Sequence, residues 1–104
     1  MIIVEFSVLP TGVGESISSY VAKALKTLKE ANVNYELTPM GTIFEAKTLR
    51  EVFDVISKAH EAVVSAGAKR VLTNITIDDR RDKERKMDDK VKSVLNKLKN
   101  IEDN

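Results

Sequence analysis

The stretch Tyr35-Glu36-Leu37-Thr38-Pro39-Met40-Gly41-Thr42-Ile43-Phe44-Glu45-Ala46 constrains the fold more than any other part of the chain. Two short β-prone runs meet at Pro39-Met40-Gly41. Proline presets φ there and glycine tolerates positive φ, so the stretch reads as a hairpin. An amphipathic helix is predicted on either side of it. The first runs from about residue 15 to 31, with Ile17, Tyr20, Val21, Ala24, Leu25, Leu28 and Ala31 at helical spacing and Asn32 or Asn34 to close it. The second opens at Thr48, with Glu51 three residues on to complete a capping box, and stops at Gly67. Its inward face is expected to carry Leu49, Val52, Phe53, Ile56, His60 and Val63.

Outside this helix–hairpin–helix unit lie two strands. Residues 2–9 alternate, with Ile2, Val4, Phe6 and Val8 on one face and Ile3, Glu5, Ser7 and Leu9 on the other. Residues 69–77 alternate in the same way, Val71, Thr73, Ile75 and Ile77 against Leu72, Asn74 and Thr76. A charged connection, Asp78 to Lys86, leads to a third amphipathic helix of about 87–101 marked by Met87, Val91, Val94, Leu95, Leu98 and Ile101. The order β-α-β-β-α-β predicts an α+β, ferredoxin-like sandwich. It forms one domain over 1–104, with a core of 1–79 and an added C-terminal helix. Two helices cover one face of a four-stranded antiparallel sheet. The other face carries Ile3, Leu9 and Leu72, and apolar residues on an open sheet face predict a homo-oligomer.

Bulk properties exclude several functions. With 17 Lys+Arg against 16 Asp+Glu, nothing calls for a nucleic acid or an anionic membrane. RNA-recognition sheets stack bases on aromatics, whereas the central strands here offer Glu5, Ser7, Asn74 and Thr76. Absence of cysteine removes disulfides and thiolate metal sites. The opening Met1-Ile2-Ile3-Val4 meets Glu5 at once and reads as a strand, not a signal peptide. No apolar run approaches the roughly 20 residues that span a bilayer, so a cytoplasmic location is expected. The aspartates from Asp78 to Asp89 are interleaved with basic residues, as on a solvated face, and no metal or other cofactor is expected.

Catalytic patterns are equally sparse. The single histidine, His60, lies on or beside an apolar stripe and reads as structural. No His-Glu-x-x-His, Gly-x-Ser-x-Gly or Walker loop is present, and Thr11-Gly12-Val13-Gly14 reads mainly as a turn that could hold an anion. There remain Glu5, Ser7, Thr38, Thr42, Glu45, Asn74 and Thr76 on the sheet face and hairpin. Hydroxyls, a carboxamide and a carboxylate beside Met40, Phe44 and Leu9 suit a small, flat, polar or cationic heterocycle.

Three segments together carry a resemblance. They are Glu5-Phe6-Ser7-Val8-Leu9-Pro10-Thr11-Gly12, the hairpin with its Thr-Pro-Met-Gly-Thr turn and following Glu45, and Lys69-Arg70-Val71 through Ile77-Asp78. Over about residues 1 to 98 the chain resembles the thiamine-binding-protein family of archaea, bacteria and yeast. The resemblance implies a ferredoxin-like fold, dimers pairing into tetramers, and no catalysis. It also implies a pocket for thiamine or its hydroxymethylpyrimidine moiety at the sheet and subunit interface. Carried over residue by residue, it assigns Ser7, Thr11, Thr38, Met40, Gly41, Thr42, Glu45 and Asn74 to the ligand. Glu45 would meet the aminopyrimidine, Ser7 and Asn74 would orient it, and Met40 would form an apolar wall. Two alternatives stand beside this reading. One is a regulatory subunit sensing another small metabolite or anion. The other is an acylphosphatase-like enzyme, which requires an arginine near the first strand, whereas arginine first occurs at Arg50.

Overall fold

The computed structural model describes residues 1–14 and 16–103. Its elements follow the predicted order: β1 (Ile2–Thr11), α1 (Ser18–Ala31), β2 (Tyr35–Thr38), β3 (Gly41–Ala46), α2 (Leu49–Ser65), β4 (Arg70–Asp78) and α3 (Met87–Glu102). The strands form one antiparallel sheet in the order β2-β3-β1-β4. This is the α+β sandwich that the hairpin between two helices demands.

Alternation in β1 decides which face is covered. Ile2, Val4, Phe6 and Val8 point to α1 and α2 and are buried, joined by Leu28, Phe44, Val52, Ile56 and Val63. Phe6 and Phe44, on neighbouring strands, meet edge to face with ring centroids 5.6 Å apart. Each fully buried aliphatic or aromatic side chain contributes about 1.5–3 kcal/mol. Leu49 and Phe53, both expected inward, stand 38% and 53% exposed, and Val55 takes a buried position on that stripe.

Helix ends follow local chemistry. Asn32 adopts the left-handed conformation (φ 60°, ψ 34°) and closes α1, as asparagine tolerates. Thr48 Oγ1 accepts a hydrogen bond from the Glu51 N–H at 3.1 Å and caps α2. Gly67 stops α2 at φ 113°, where a side chain would be strained. The helix α1 begins three residues later than the apolar spacing suggested; residue 15, its expected start, lies outside the described residues. β1, by contrast, runs two residues further than predicted, to Thr11, because β4 pairs with it that far.

The hairpin turn is built differently from its sequence reading. Gly41 does not use a positive φ. Its need is space: a Cβ there would lie 3.0 Å from the Phe6 carbonyl oxygen. The two-residue loop Pro39-Met40 is held instead by Thr38, whose hydroxyl accepts from the Met40 and Gly41 N–H groups and donates to the Gly41 carbonyl at 2.7 Å.

Helix α3 does not cover the open face. It touches the body at its first turn, and none of its residues is buried. Val91, Val94, Leu95, Leu98 and Ile101 all lie in solvent, Ile101 at 72% exposure.

Candidate ligand-binding site

A mismatch in strand length creates a cavity suited to a small ligand. β1 pairs with β3 only as far as Phe6↔Thr42, but with β4 as far as Thr11↔Arg70. Beyond Phe6 the β3 side of β1 is therefore left open, and the Pro39-Met40 turn curls beside it. The Phe6 carbonyl points toward β3, as its approach to Gly41 shows. Peptide groups two residues apart point the same way, so Val8 presents its N–H and C=O toward the opening.

Helix α1 roofs this gap with Ile17, Val21, Ala24 and Leu25, and leaves a cavity of about 140 Å³. A cavity of about 150 Å³ holds one benzene-sized ring. The cavity is open to solvent and accommodates a single six-membered ring.

Five of the eight residues expected at a ligand site gather here: Ser7, Thr38, Met40, Gly41 and Thr42 all line the cavity. Thr42 is the informative one. Its register opposite Phe6 and Leu37 puts it on the helix side of the sheet, only 5% exposed. Among the described residues no group hydrogen-bonds its hydroxyl. Among the described residues no buried side-chain nitrogen or oxygen lacks a partner, so this hydroxyl reaches the open space of the cavity, where water or an entering molecule can hydrogen-bond it. Thr38, in contrast, spends its hydroxyl on the turn, and Met40 stands 88% exposed at the tip.

The other three lie elsewhere. Thr11 is at the far end of β1, where its hydroxyl donates to the Arg70 carbonyl at 3.4 Å. Asn74 faces Ser7 across the β1–β4 ladder, on the open face of the sheet. Glu45 is 4% exposed near the opposite end of β3, with both oxygens engaged. Asn34 Nδ2 donates to Oε1 at 2.6 Å, and the Met87 main-chain N–H donates to Oε2 at 3.0 Å. Met87 opens α3, so the carboxylate meets the positive end of that helix and anchors it.

Sequence reasoning missed the α1 wall, because Ile17, Val21 and Leu25 read as ordinary core residues. Their incomplete burial marks the difference. His60 ties α2 to β4 through Nδ1···Thr73 Oγ1 at 2.7 Å, a structural role. The charged connection is internally paired: the hydrogen-bonding Arg80 guanidinium holds the Asp82 carboxyl below the ordinary carboxylate range. No group of metal-ligating residues occurs among the described residues, and no described helix is long and apolar enough to cross a membrane.

A family model described as thiamine-binding protein matches residues 4–95. The chain belongs to this family. Its relatives include a UPF0045 protein of Methanothermobacter thermautotrophicus, 50% identical over 99 residues that span 94% of this chain and 100% of the relative. One from Staphylococcus xylosus is 46% identical, covering 90% of this chain and 92% of its own. A solved structure of a hypothetical protein from Methanocaldococcus jannaschii superposes with a TM-score of 0.83 at 34% identity, over 89% of this chain and 94% of that one. A putative thiamine biosynthesis/salvage protein from Thermotoga maritima, 19% identical, shares the fold with a TM-score of 0.75 over 89% of this chain and 97% of its own.

Proposed function

We propose that this member of the thiamine-binding-protein family is a non-catalytic small-molecule-binding protein. It seats the hydroxymethylpyrimidine ring, free or as part of thiamine, in the cavity beneath the hairpin. The observation that carries the reading is the Thr42 hydroxyl, which has no protein partner among the described residues and opens into a cavity of about 140 Å³. One pyrimidine ring suits that volume, and the thiazolium of thiamine would remain outside beside Met40. The Val8 N–H and C=O offer the paired donor and acceptor that an aminopyrimidine edge complements. Ser7 and Asn74 extend the site onto the open sheet face. In this reading Glu45 holds α3 and does not touch the ring.

The proposal includes self-association. Ile3, Leu9 and Leu72 on the open face and the α3 stripe form apolar surface that a second copy would cover. Calorimetric titration with thiamine and with hydroxymethylpyrimidine tests the binding. Both should bind the native protein, and Thr42→Val should weaken both by about tenfold while leaving the fold intact. No heat at ligand concentrations on the order of millimolar would refute the reading.

A further inference from the structure

The chain is nearly neutral as a whole, with a net charge of +1, but its charges are unevenly spread. The connection from β4 to α3 passes the start of β1, and two cavities open there with Met1 and Arg80 in the wall of both. The smaller, about 60 Å³, is lined by Met1, Ile3, Asp78, Arg80, Arg85 and Lys90. The larger, about 540 Å³, reaches Lys83 on the connection and Lys47 beside the amino end of α2. Both lie at the opposite end of β1 from the cavity beneath the hairpin.

Every carboxylate in these walls is already engaged. Asp78 holds Lys90, Asp79 holds Arg81, Asp82 holds Arg80, and Glu84 holds the Met1 ammonium. Lys47, Lys83 and Arg85 are left over. Among the described residues none of these three side chains has a hydrogen-bond or ion-pair partner. Arg85 decides the matter, because it is only partly exposed. A guanidinium withdrawn from water without a counter-charge is destabilising, and an oxyanion matched to its planar fork removes that penalty.

Size and composition narrow the anion. A space of about 60 Å³ exceeds the roughly 10–15 Å³ that a water needs and falls short of the roughly 150 Å³ that holds a benzene-sized ring. It suits one compact oxyanion group. The larger cavity, with Lys47 and Lys83 in its wall, has room for a second group and the charge to meet it. No aromatic side chain lines either cavity, so neither offers a platform on which a base could stack.

We propose that this corner binds a polyphosphate chain, as found in inorganic pyrophosphate and in nucleotides. Arg85 holds the terminal phosphate in the small cavity, while Lys47 and Lys83 neutralise the phosphate next to it. Recognition stops at the phosphates. The site is separate from the ring cavity beneath the hairpin and does not depend on what that cavity binds.

Calorimetric titration of the full chain at constant ionic strength tests the proposal, with inorganic pyrophosphate, orthophosphate and a nucleoside triphosphate as probes. Pyrophosphate should bind with a Kd below about 1 mM, and orthophosphate about tenfold more weakly. The nucleoside triphosphate should match pyrophosphate within about threefold, since its base meets no aromatic partner. Arg85→Gln should weaken pyrophosphate about tenfold and Lys83→Gln about threefold, each with an unchanged far-ultraviolet spectrum. Lys92→Gln, at an exposed lysine of α3 outside both cavities, should leave the isotherm as it was. No saturable binding of pyrophosphate would overturn the site. So would an equal loss from Arg85→Gln and Lys92→Gln, which would reveal diffuse attraction by positive charge. A nucleoside triphosphate that binds where pyrophosphate does not would overturn recognition through phosphate alone.

Discussion

Thr42 and Glu45 sit three residues apart on β3 and are the buried polar side chains of the described molecule, 5% and 4% exposed. Their surroundings are opposites. At the α3 end, Glu45 has a donor on each oxygen, one of them from a helix 42 residues away in sequence. At the hairpin end, Thr42 has a cavity in front of it and no protein partner among the described residues. Burial alone therefore says little about role. A satisfied polar group holds structure together, while an unsatisfied one beside free volume is available to a ligand.

Substitutions sharpen this contrast. Glu45→Ala should have the largest effect on stability, about 3 kcal/mol in urea denaturation, because it removes two charge-assisted hydrogen bonds, to Asn34 and to the start of α3. The same change should free the α3 amides to exchange. If Glu45→Ala instead abolished ligand binding at full stability, the roles assigned to the two ends would be reversed. Gly41→Ala should come next, about 2 kcal/mol, since its Cβ would press on a main-chain oxygen that cannot swing aside. The smallest change belongs to Thr42→Val, within about 0.5 kcal/mol or slightly stabilising, because an unpaired hydroxyl is replaced by a methyl of the same shape. A large destabilisation by Thr42→Val would mean that the hydroxyl already has a structural partner.

Much of the architecture was legible along the chain. The alternation of Ile2, Val4, Phe6 and Val8 assigned the covered face of β1 correctly, and Thr48 and Gly67 marked the ends of α2. Errors came where helical spacing allows two readings. Phe53 and Val55 both lie near the stripe, and only packing against the sheet selects Val55. Of the residues expected at a ligand site, the sequence pointed to the turn residues and Ser7, which share a cavity, whereas Glu45, chosen for its charge, is hydrogen-bonded to Asn34 and the start of α3, a contact that no local pattern shows.

Sequence alone determined the order of elements and the face each one buries, since both are written in local periods of 2 and 3.6 residues. Tertiary structure decided where a cavity opens and which polar groups face it. Those outcomes depend on β1 outrunning β3 and on α1 spanning the resulting gap. They depend also on a donor from Met87 reaching back to Glu45, and no local pattern encodes contacts between segments so far apart.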